Sequence, residues 1–125
     1  MAKFFEELEI WMEARQLVNV IYKNTISCKD YGFKDQIQRA SVSVMNNIAE
    51  GFERNSNAEF IRFLNIALGS CGEVRSMSYI AFDLNYFQQE TVEVIKESSL
   101  KISRKISSLI KYLENNKVTK LKVKS

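Results

Sequence analysis

The sequence predicts an all-α protein, an antiparallel up-down-up-down four-helix bundle. The 125-residue chain contains no proline and only four glycines, so few residues interrupt a helix. Apolar residues recur at spacings of three and four through four long segments separated by short polar breaks. Short connections place consecutive helices side by side in opposite directions. The composition, 46% hydrophobic and 26% charged, is typical of soluble globular proteins.

The four periodic segments give the expected helices. They cover about residues 5–27, 33–50, 57–84 and 89–115. Residues 1–116 are therefore expected to form one domain. The remaining residues, 117–125, are expected to form a disordered basic tail.

The apolar surface exceeds what one bundle buries. Helix 1 carries two apolar seams, and the first half of helix 3 is apolar nearly all round. The stripe containing Trp11, Val18 and Tyr22 forms one seam of helix 1, and Ile10 and Leu17 belong to the other. Large apolar patches usually mark interfaces, so we expect a homo-oligomer.

Capping residues mark the helix ends. Gly51 follows a periodic run and is expected to be the left-handed residue that ends helix 2. Ser56 precedes Glu59 by three residues, which is the spacing of a capping box at the start of helix 3. Asp30 is a candidate cap for helix 2, and Asn85 a candidate left-handed residue after helix 3.

Gly69 lies in the middle of helix 3. A glycine there costs about 1 kcal/mol relative to alanine, so something must offset the cost. Close approach of helix 2 is the expected reason, and we predict a close contact at Gly69. The alternative is that the glycines bend a long helix.

Polar residues form a ridge on helix 2. Arg39, Ser43, Asn46, Asn47 and Glu50 are spaced by three and four. Ser70 and Glu73 of helix 3 are expected to face this ridge. It is either an interhelical hydrogen-bond network that fixes the register or a ligand or partner site, and the sequence leaves both open.

The sequence gives little support for a catalytic function. The chain has no histidine, which removes the commonest general base and the partner of Ser or Cys nucleophiles. Glu50, Glu59 and Glu73 could converge on Mg²⁺, but they are more simply interpreted as ion-pair partners of arginines. We therefore expect no enzyme activity, metal or cofactor.

Location and redox state follow from simple features. The longest uncharged runs, 40–49 and 63–72, are much shorter than a membrane span. Acidic residues at positions 6 and 7 do not fit a signal peptide. We therefore expect a cytoplasmic protein. Cys71 is interpreted as a buried free thiol.

Positive charge is concentrated at the end of the chain. The formal net charge is +3, and the tail supplies four positive charges and no acid, so the rest of the chain carries −1. The four residues are Lys117, Lys120, Lys122 and Lys124. They are candidate phosphate contacts, or else they only aid solubility.

Several short motifs occur together and in order along residues 5–113. They are Phe5-x-x-Leu8-x-x-Trp11-x-x-Ala14, Gln36-Ile37-x-Arg39-Ala40, Asn47-Ile48-Ala49-Glu50-Gly51, Glu59-Phe60-x-x-Phe63-Leu64 and Ala67-x-Gly69-Ser70-x-x-Glu73. With these motifs, the chain resembles the four-helix bundle family encoded within intervening sequences of bacterial 23S ribosomal RNA genes. Met45 departs from the family pattern, which usually has proline there, and Lys34 stands where a capping Ser or Thr is common.

The resemblance implies a homopentameric, ring-like bundle without established catalytic residues. It also implies a relation to the accessory protein of diversity-generating retroelements, which engages nucleic acid and a reverse transcriptase. Two hypotheses follow. The first is a non-enzymatic scaffold that binds RNA or DNA, with the four tail lysines and Arg39, Arg54 and Arg62 as contacts. The alternative is a protein-interaction module, such as a reverse-transcriptase accessory, without direct nucleic-acid binding.

Overall fold

Four long helices form the protein. The computed structural model describes residues 2–116, in which a short 3₁₀ turn, Phe5–Glu7, is followed by α1 (Glu9–Thr25), α2 (Tyr31–Phe52), α3 (Asn57–Asp83) and α4 (Gln89–Asn115). No strand occurs in these residues. The predicted four-helix bundle is therefore confirmed. The tail from position 117 onward, predicted to be disordered, lies outside the described residues.

The helices are arranged cyclically. Each contacts its two neighbours, α1 with α2, α2 with α3, α3 with α4, and α4 back with α1. Helices α1 and α3 are therefore diagonal to each other, as are α2 and α4. The outer faces of a diagonal pair point to opposite sides of the bundle.

The core is a continuous apolar column between the helices. Each helix contributes a stripe at spacings of three and four, and the fully buried large side chains include Leu17, Ile21, Ile37, Ile48, Leu64, Ile95, Ile102 and Ile106. In α1 the seam through Ile10 and Leu17 is buried, together with Ala14. The other predicted seam lies at the edge, where Trp11 contacts Phe5 in a tilted arrangement with ring centroids 5.2 Å apart.

Two predicted caps are confirmed. The Asp30 carboxylate accepts a hydrogen bond from the Phe33 backbone N–H at the start of α2, and the Ser56 hydroxyl accepts one from Glu59 at the start of α3. Both satisfy helix N–H groups that have no partner within the helix. Asn85, with φ of 64°, takes the predicted left-handed conformation after α3.

Gly51 does not end α2 as predicted. The helix continues through Phe52, and among the described residues no glycine has a positive φ. The reason is packing, because Phe52 is buried and makes an edge contact with Phe60 of α3. Gly51 is helical and buried, where the chain turns back into α3.

The close contact lies at Gly51 and not at Gly69. A Cβ atom built on Gly51 would be 2.8 Å from the Cβ of Phe63 and 2.9 Å from Cδ1 of Phe60. A Cβ on Gly69 would have no neighbour within 4 Å. The prediction that α2 approaches α3 at Gly69 is therefore wrong, because this glycine lies on the exposed side of α3.

Candidate functional site

The polar ridge of α2 joins α3 through a pair of serines. The hydroxyls of Ser43 and Ser70 are 2.8 Å apart and share a hydrogen bond. The Asn47 side chain donates to both the hydroxyl and the backbone carbonyl of Ser43. All three groups are partly buried, so this part of the ridge forms the interhelical network that the sequence allowed.

The two glutamates of the predicted network lie elsewhere. Glu50 pairs with Arg54, just beyond the end of α2, at 2.7 Å. Glu73 accepts a hydrogen bond from the side chain of Gln36, at 3.2 Å. The carboxylates of Glu50, Glu59 and Glu73 are therefore not brought together, and residues 2–116 hold no cluster of three candidate metal ligands.

The three arginines proposed as nucleic-acid contacts each form an ion pair within their own helix or its end. Arg39 pairs with Asp35 at 2.8 Å, and Arg62 pairs with Glu59 at 3.2 Å. Arg54 pairs with Glu50, as described above. These pairs neutralise much of the positive charge that would attract a phosphate. Exposed pairs of this kind also add little stability.

Two of these arginines also cover an aromatic ring. The guanidinium carbons of Arg54 and Arg62 lie 4.8 Å and 4.5 Å from the ring centroid of Phe63. Phe63 is only 7% exposed. The two guanidinium groups therefore shield this ring from water in a cation–π arrangement, next to the close contact at Gly51.

The outer face of α3 bears a different surface. Gly69 is exposed there together with Glu73 and Ser76, and Ile66 and Ile80 on the same face are 43% and 45% exposed. Residues 66, 69, 73, 76 and 80 follow the spacing of one helical stripe. This face of α3 is the stripe containing Ile66, Gly69 and Ile80, and we call it the α3 outer face.

The basic residues of α4 were not among the predicted contacts. Lys101, Arg104 and Lys111 lie on the exposed side of its C-terminal half, diagonal to α2. Their spacing of three and seven was visible in the sequence. Which of them forms an ion pair depends on the carboxylates of α1, and only the fold shows this arrangement.

A small ion cluster joins α1 to α4. The Lys105 ammonium lies 2.6 Å from Glu13 Oε2 and 2.8 Å from Glu9 Oε1. The hydrogen bonds that Lys105 donates to Glu13 and Glu9 raise the pKa of Lys105, and the one to Glu9 lowers the pKa of that carboxyl. Lys101 reaches Glu13 only at 3.5 Å. Oε1 of Glu13 is buried without a hydrogen-bond partner among the described residues.

The other perturbed groups have structural causes. The hydrogen bond from Tyr86 and that from the Phe33 N–H lower the pKa of Asp30. Burial raises the pKa of the Cys71 thiol, whose Sγ lies 3.2 Å from the carbonyl oxygen of Ser99. Cys71 is thus buried, as predicted, and a thiol with a raised pKa is a poor nucleophile.

Most of the described bundle matches a known protein family. A family model described as 23S rRNA-intervening sequence protein matches residues 6–108. The chain belongs to this family. The resemblance inferred from the motifs is therefore confirmed.

One solved relative of this 23S rRNA-intervening sequence protein has a similar fold. It is a protein of unknown function from the S23 ribosomal protein family of Bacteroides thetaiotaomicron VPI-5482. The two share 28% sequence identity with a TM-score of 0.76, over 82% of this chain and 98% of the relative. No curated protein matches the sequence.

The four tail lysines were also predicted as phosphate contacts. The lysines at 117, 120, 122 and 124 lie outside the described residues. No helix in residues 2–116 is both long enough and apolar enough to cross a membrane.

Proposed function

We propose that this 23S rRNA-intervening sequence protein is a non-enzymatic cytoplasmic scaffold that self-associates through the α3 outer face and binds RNA or DNA. The observation that carries the proposal is the exposed Gly69 one turn from the exposed Ile66, with the exposed Ile80 farther along the same face. The absence of histidine from the sequence supports the non-enzymatic assignment.

The glycine needs a partner outside its own chain. In the interior of an exposed helix, glycine costs about 1 kcal/mol relative to alanine. Gly51 offsets this by admitting Phe63, but Gly69 has no neighbour in its own chain within 4 Å of a Cβ position. A helix from a second subunit that approaches the α3 backbone closely would use the missing side chain.

The flanking side chains add apolar area. Ile66 and Ile80 lie about 21 Å apart along α3, from a rise of about 1.5 Å per residue. Both leave a large part of their surface open to water in the single chain. Their burial would contribute about 25 cal/mol for each Å² removed from water.

A ring requires two different surfaces on each subunit. In such a heterologous contact, one face of a subunit meets another face of the next. The outer face of α1, where Met12 is 43% exposed, points away from the α3 outer face because the two helices are diagonal. This pair of faces suits a ring, and five subunits is the number that the family resemblance implies.

A second candidate function is a module for a different protein, such as a reverse transcriptase. The same α3 outer face favours it, because a stripe with two exposed isoleucines and a glycine accepts a helix from any suitable partner. The two functions differ in whether the isolated protein associates with itself.

The test uses two substitutions of the same glycine. Gly69→Ala adds a methyl group that the single chain has room for, and Gly69→Leu adds a larger side chain on the same face. We expect both to preserve the helical circular dichroism and to weaken self-association in sedimentation velocity, with leucine having the larger effect. A matched control is Ser107→Leu on the exposed side of α4. Unchanged self-association in both Gly69 variants would refute the α3 outer face as the contact.

A further inference from the structure

The C-terminal half of α4 presents a basic strip to solvent. Lys101, Arg104, Ser108 and Lys111 follow one helical stripe at spacings of three and four, and all four are exposed. Tyr112 lies beside Lys111 and is 61% exposed. We call these five residues the α4 strip, and it extends about 15 Å along the helix from a rise of about 1.5 Å per residue.

The charges of the α4 strip are largely free. Arg104 and Lys111 have no ion-pair partner in residues 2–116, and the side chain of Lys101 is 57% exposed with Glu13 no closer than 3.5 Å. The nearer carboxylate contacts of Glu13 and Glu9 go to Lys105 instead. This differs from Arg39 and the other two arginines of the earlier hypothesis, which are paired in their own helices.

The opposite charge occupies the other half of the same stripe. Glu90, Glu93 and Glu97 are exposed on the N-terminal half of α4. An anionic ligand is therefore attracted to the C-terminal half and repelled from the N-terminal half. The boundary between the two halves lies between Glu97 and Lys101.

An apolar groove runs beside the α4 strip. It lies between α1 and α4. The apolar Leu8, Ile10 and Leu109 line it, together with Arg104, Ser108 and the ion pair of Lys105 with Glu9. An unpaired base has both an apolar face and polar edges. The groove offers an apolar surface beside cationic and hydroxyl groups, and the exposed ring of Tyr112 offers a stacking surface.

We propose that the α4 strip binds single-stranded nucleic acid, with Lys101, Arg104 and Lys111 on phosphates and Tyr112 stacked on a base. The proposal deepens the proposed function by placing its nucleic-acid contact on α4. A single strand fits better than a duplex, because stacking on Tyr112 needs an unpaired base. Phosphate contacts carry little sequence information, so binding is weakly selective.

The experiment titrates the full chain with a labelled oligouridylate of about ten nucleotides, within the usual range of single-strand site sizes. The double variant Arg104→Gln/Lys111→Gln removes two free charges. We expect binding to weaken about tenfold at low salt, and the slope of log K against log salt to become shallower by about 1.4 for two lost phosphate contacts.

A matched control removes the same charge elsewhere. Arg39→Gln/Lys29→Gln changes two exposed cations on α2 and on the α1–α2 connection, and α2 is diagonal to α4. We expect this control to bind within about twofold of the wild type. Equal weakening in both double variants would mean that only the net charge matters and would overturn the proposal.

The tyrosine gives a second, uncharged test. Tyr112→Ala should weaken binding about fivefold or more with an unchanged salt slope, whereas Tyr112→Phe should restore it, because stacking needs the ring and not the hydroxyl. If Tyr112→Ala binds like the wild type, the stacking contact is wrong.

Three further measurements separate the possible failures. A chain ending at Asn116 tests the tail lysines: loss of binding in this chain, with no effect of the α4 variants, would overturn the proposal. Binding to vesicles of anionic lipid without binding to the oligouridylate would also overturn it. Sedimentation of the same α4 variants reports self-association separately, so a monomer that still binds the oligouridylate would refute the scaffold and leave the α4 strip intact.

Discussion

Gly51 leaves room for Phe63, and a methyl group on the glycine would lie only 2.8 Å from the Cβ of that phenylalanine. We expect Gly51→Ala to destabilise the bundle by about 1–3 kcal/mol, the usual cost of overpacking a filled core. The measurement is the free energy of unfolding in urea. The gain in helix propensity, about 1 kcal/mol, opposes this cost, so a net stabilisation would show that α3 moves aside at little cost.

Gly32 provides the control for the same substitution. Its Cβ would meet only Asp30 Oδ1, at an ordinary 3.9 Å. Gly32→Ala is therefore expected to leave stability unchanged or to raise it by up to about 1 kcal/mol. A loss as large as that of Gly51→Ala would argue against the packing explanation.

Ser43 and Ser70 should show energetic coupling. Replacing either serine by alanine removes one partner of a partly buried hydrogen bond, at a cost of about 0.5–1.5 kcal/mol. The double variant should cost less than the two single changes together, because neither hydroxyl is then left alone. A double-mutant cycle measured by urea unfolding checks this. Strictly additive losses would mean that the two hydroxyls contribute independently.

The bond between Asp30 and Tyr86 should make stability depend on pH. The Tyr86 hydroxyl donates to Asp30 Oδ2 at 2.7 Å and lowers the pKa of this carboxyl. A lowered pKa in the folded state stabilises the fold above the ordinary pKa, near about 4, and this stabilisation is lost as the pH falls through the folded-state value. Tyr86→Phe should therefore melt below the wild type at neutral pH, and the difference should shrink below about pH 4.

An exposed tyrosine serves as its control. Tyr79 is 48% exposed on α3, and Tyr79→Phe should have the wild-type melting temperature at both pH values. A gap between Tyr86→Phe and the wild type that stays constant down to low pH would exclude Asp30 as the titrating group.

The two thiols should react at different rates. Cys28 is half-buried and Cys71 is fully buried, and burial raises the pKa of the latter. A thiol reagent should label Cys28 in the native protein and Cys71 only after unfolding. The variant Cys28→Ser isolates the second thiol. Labelling of this variant as fast as the wild type would show that α3 and α4 open readily around Cys71.

Much of the fold followed from local patterns. Asp30 and Ser56 were recognised as caps because a side-chain oxygen at a helix start has few other uses. The extent of α4 followed from its single narrow apolar stripe. The end of α2 was misplaced because glycine usually stops a helix, whereas here the burial of Phe52 against Phe60 extends it.

The candidate site was less accessible to sequence reasoning. Periodicity places Gly51 and Gly69 on helices but does not say which one faces a neighbour, so the close contact was assigned to the wrong glycine. The pairing of Arg39 with Asp35 was visible as a spacing of four. The lack of an ion-pair partner for Arg104 among residues 2–116 was not visible in the sequence. It depends on which lysine of α4 pairs with the carboxylates of α1.

Self-association is the central claim, and sedimentation velocity of the purified protein at micromolar concentration tests it most directly. A single chain has a mass of 14.5 kDa. We predict a species several times heavier, which a high-salt wash that strips nucleic acid does not dissociate, because burial of Ile66 and Ile80 on the α3 outer face is not screened by salt. A single monomeric species under these conditions would contradict the account.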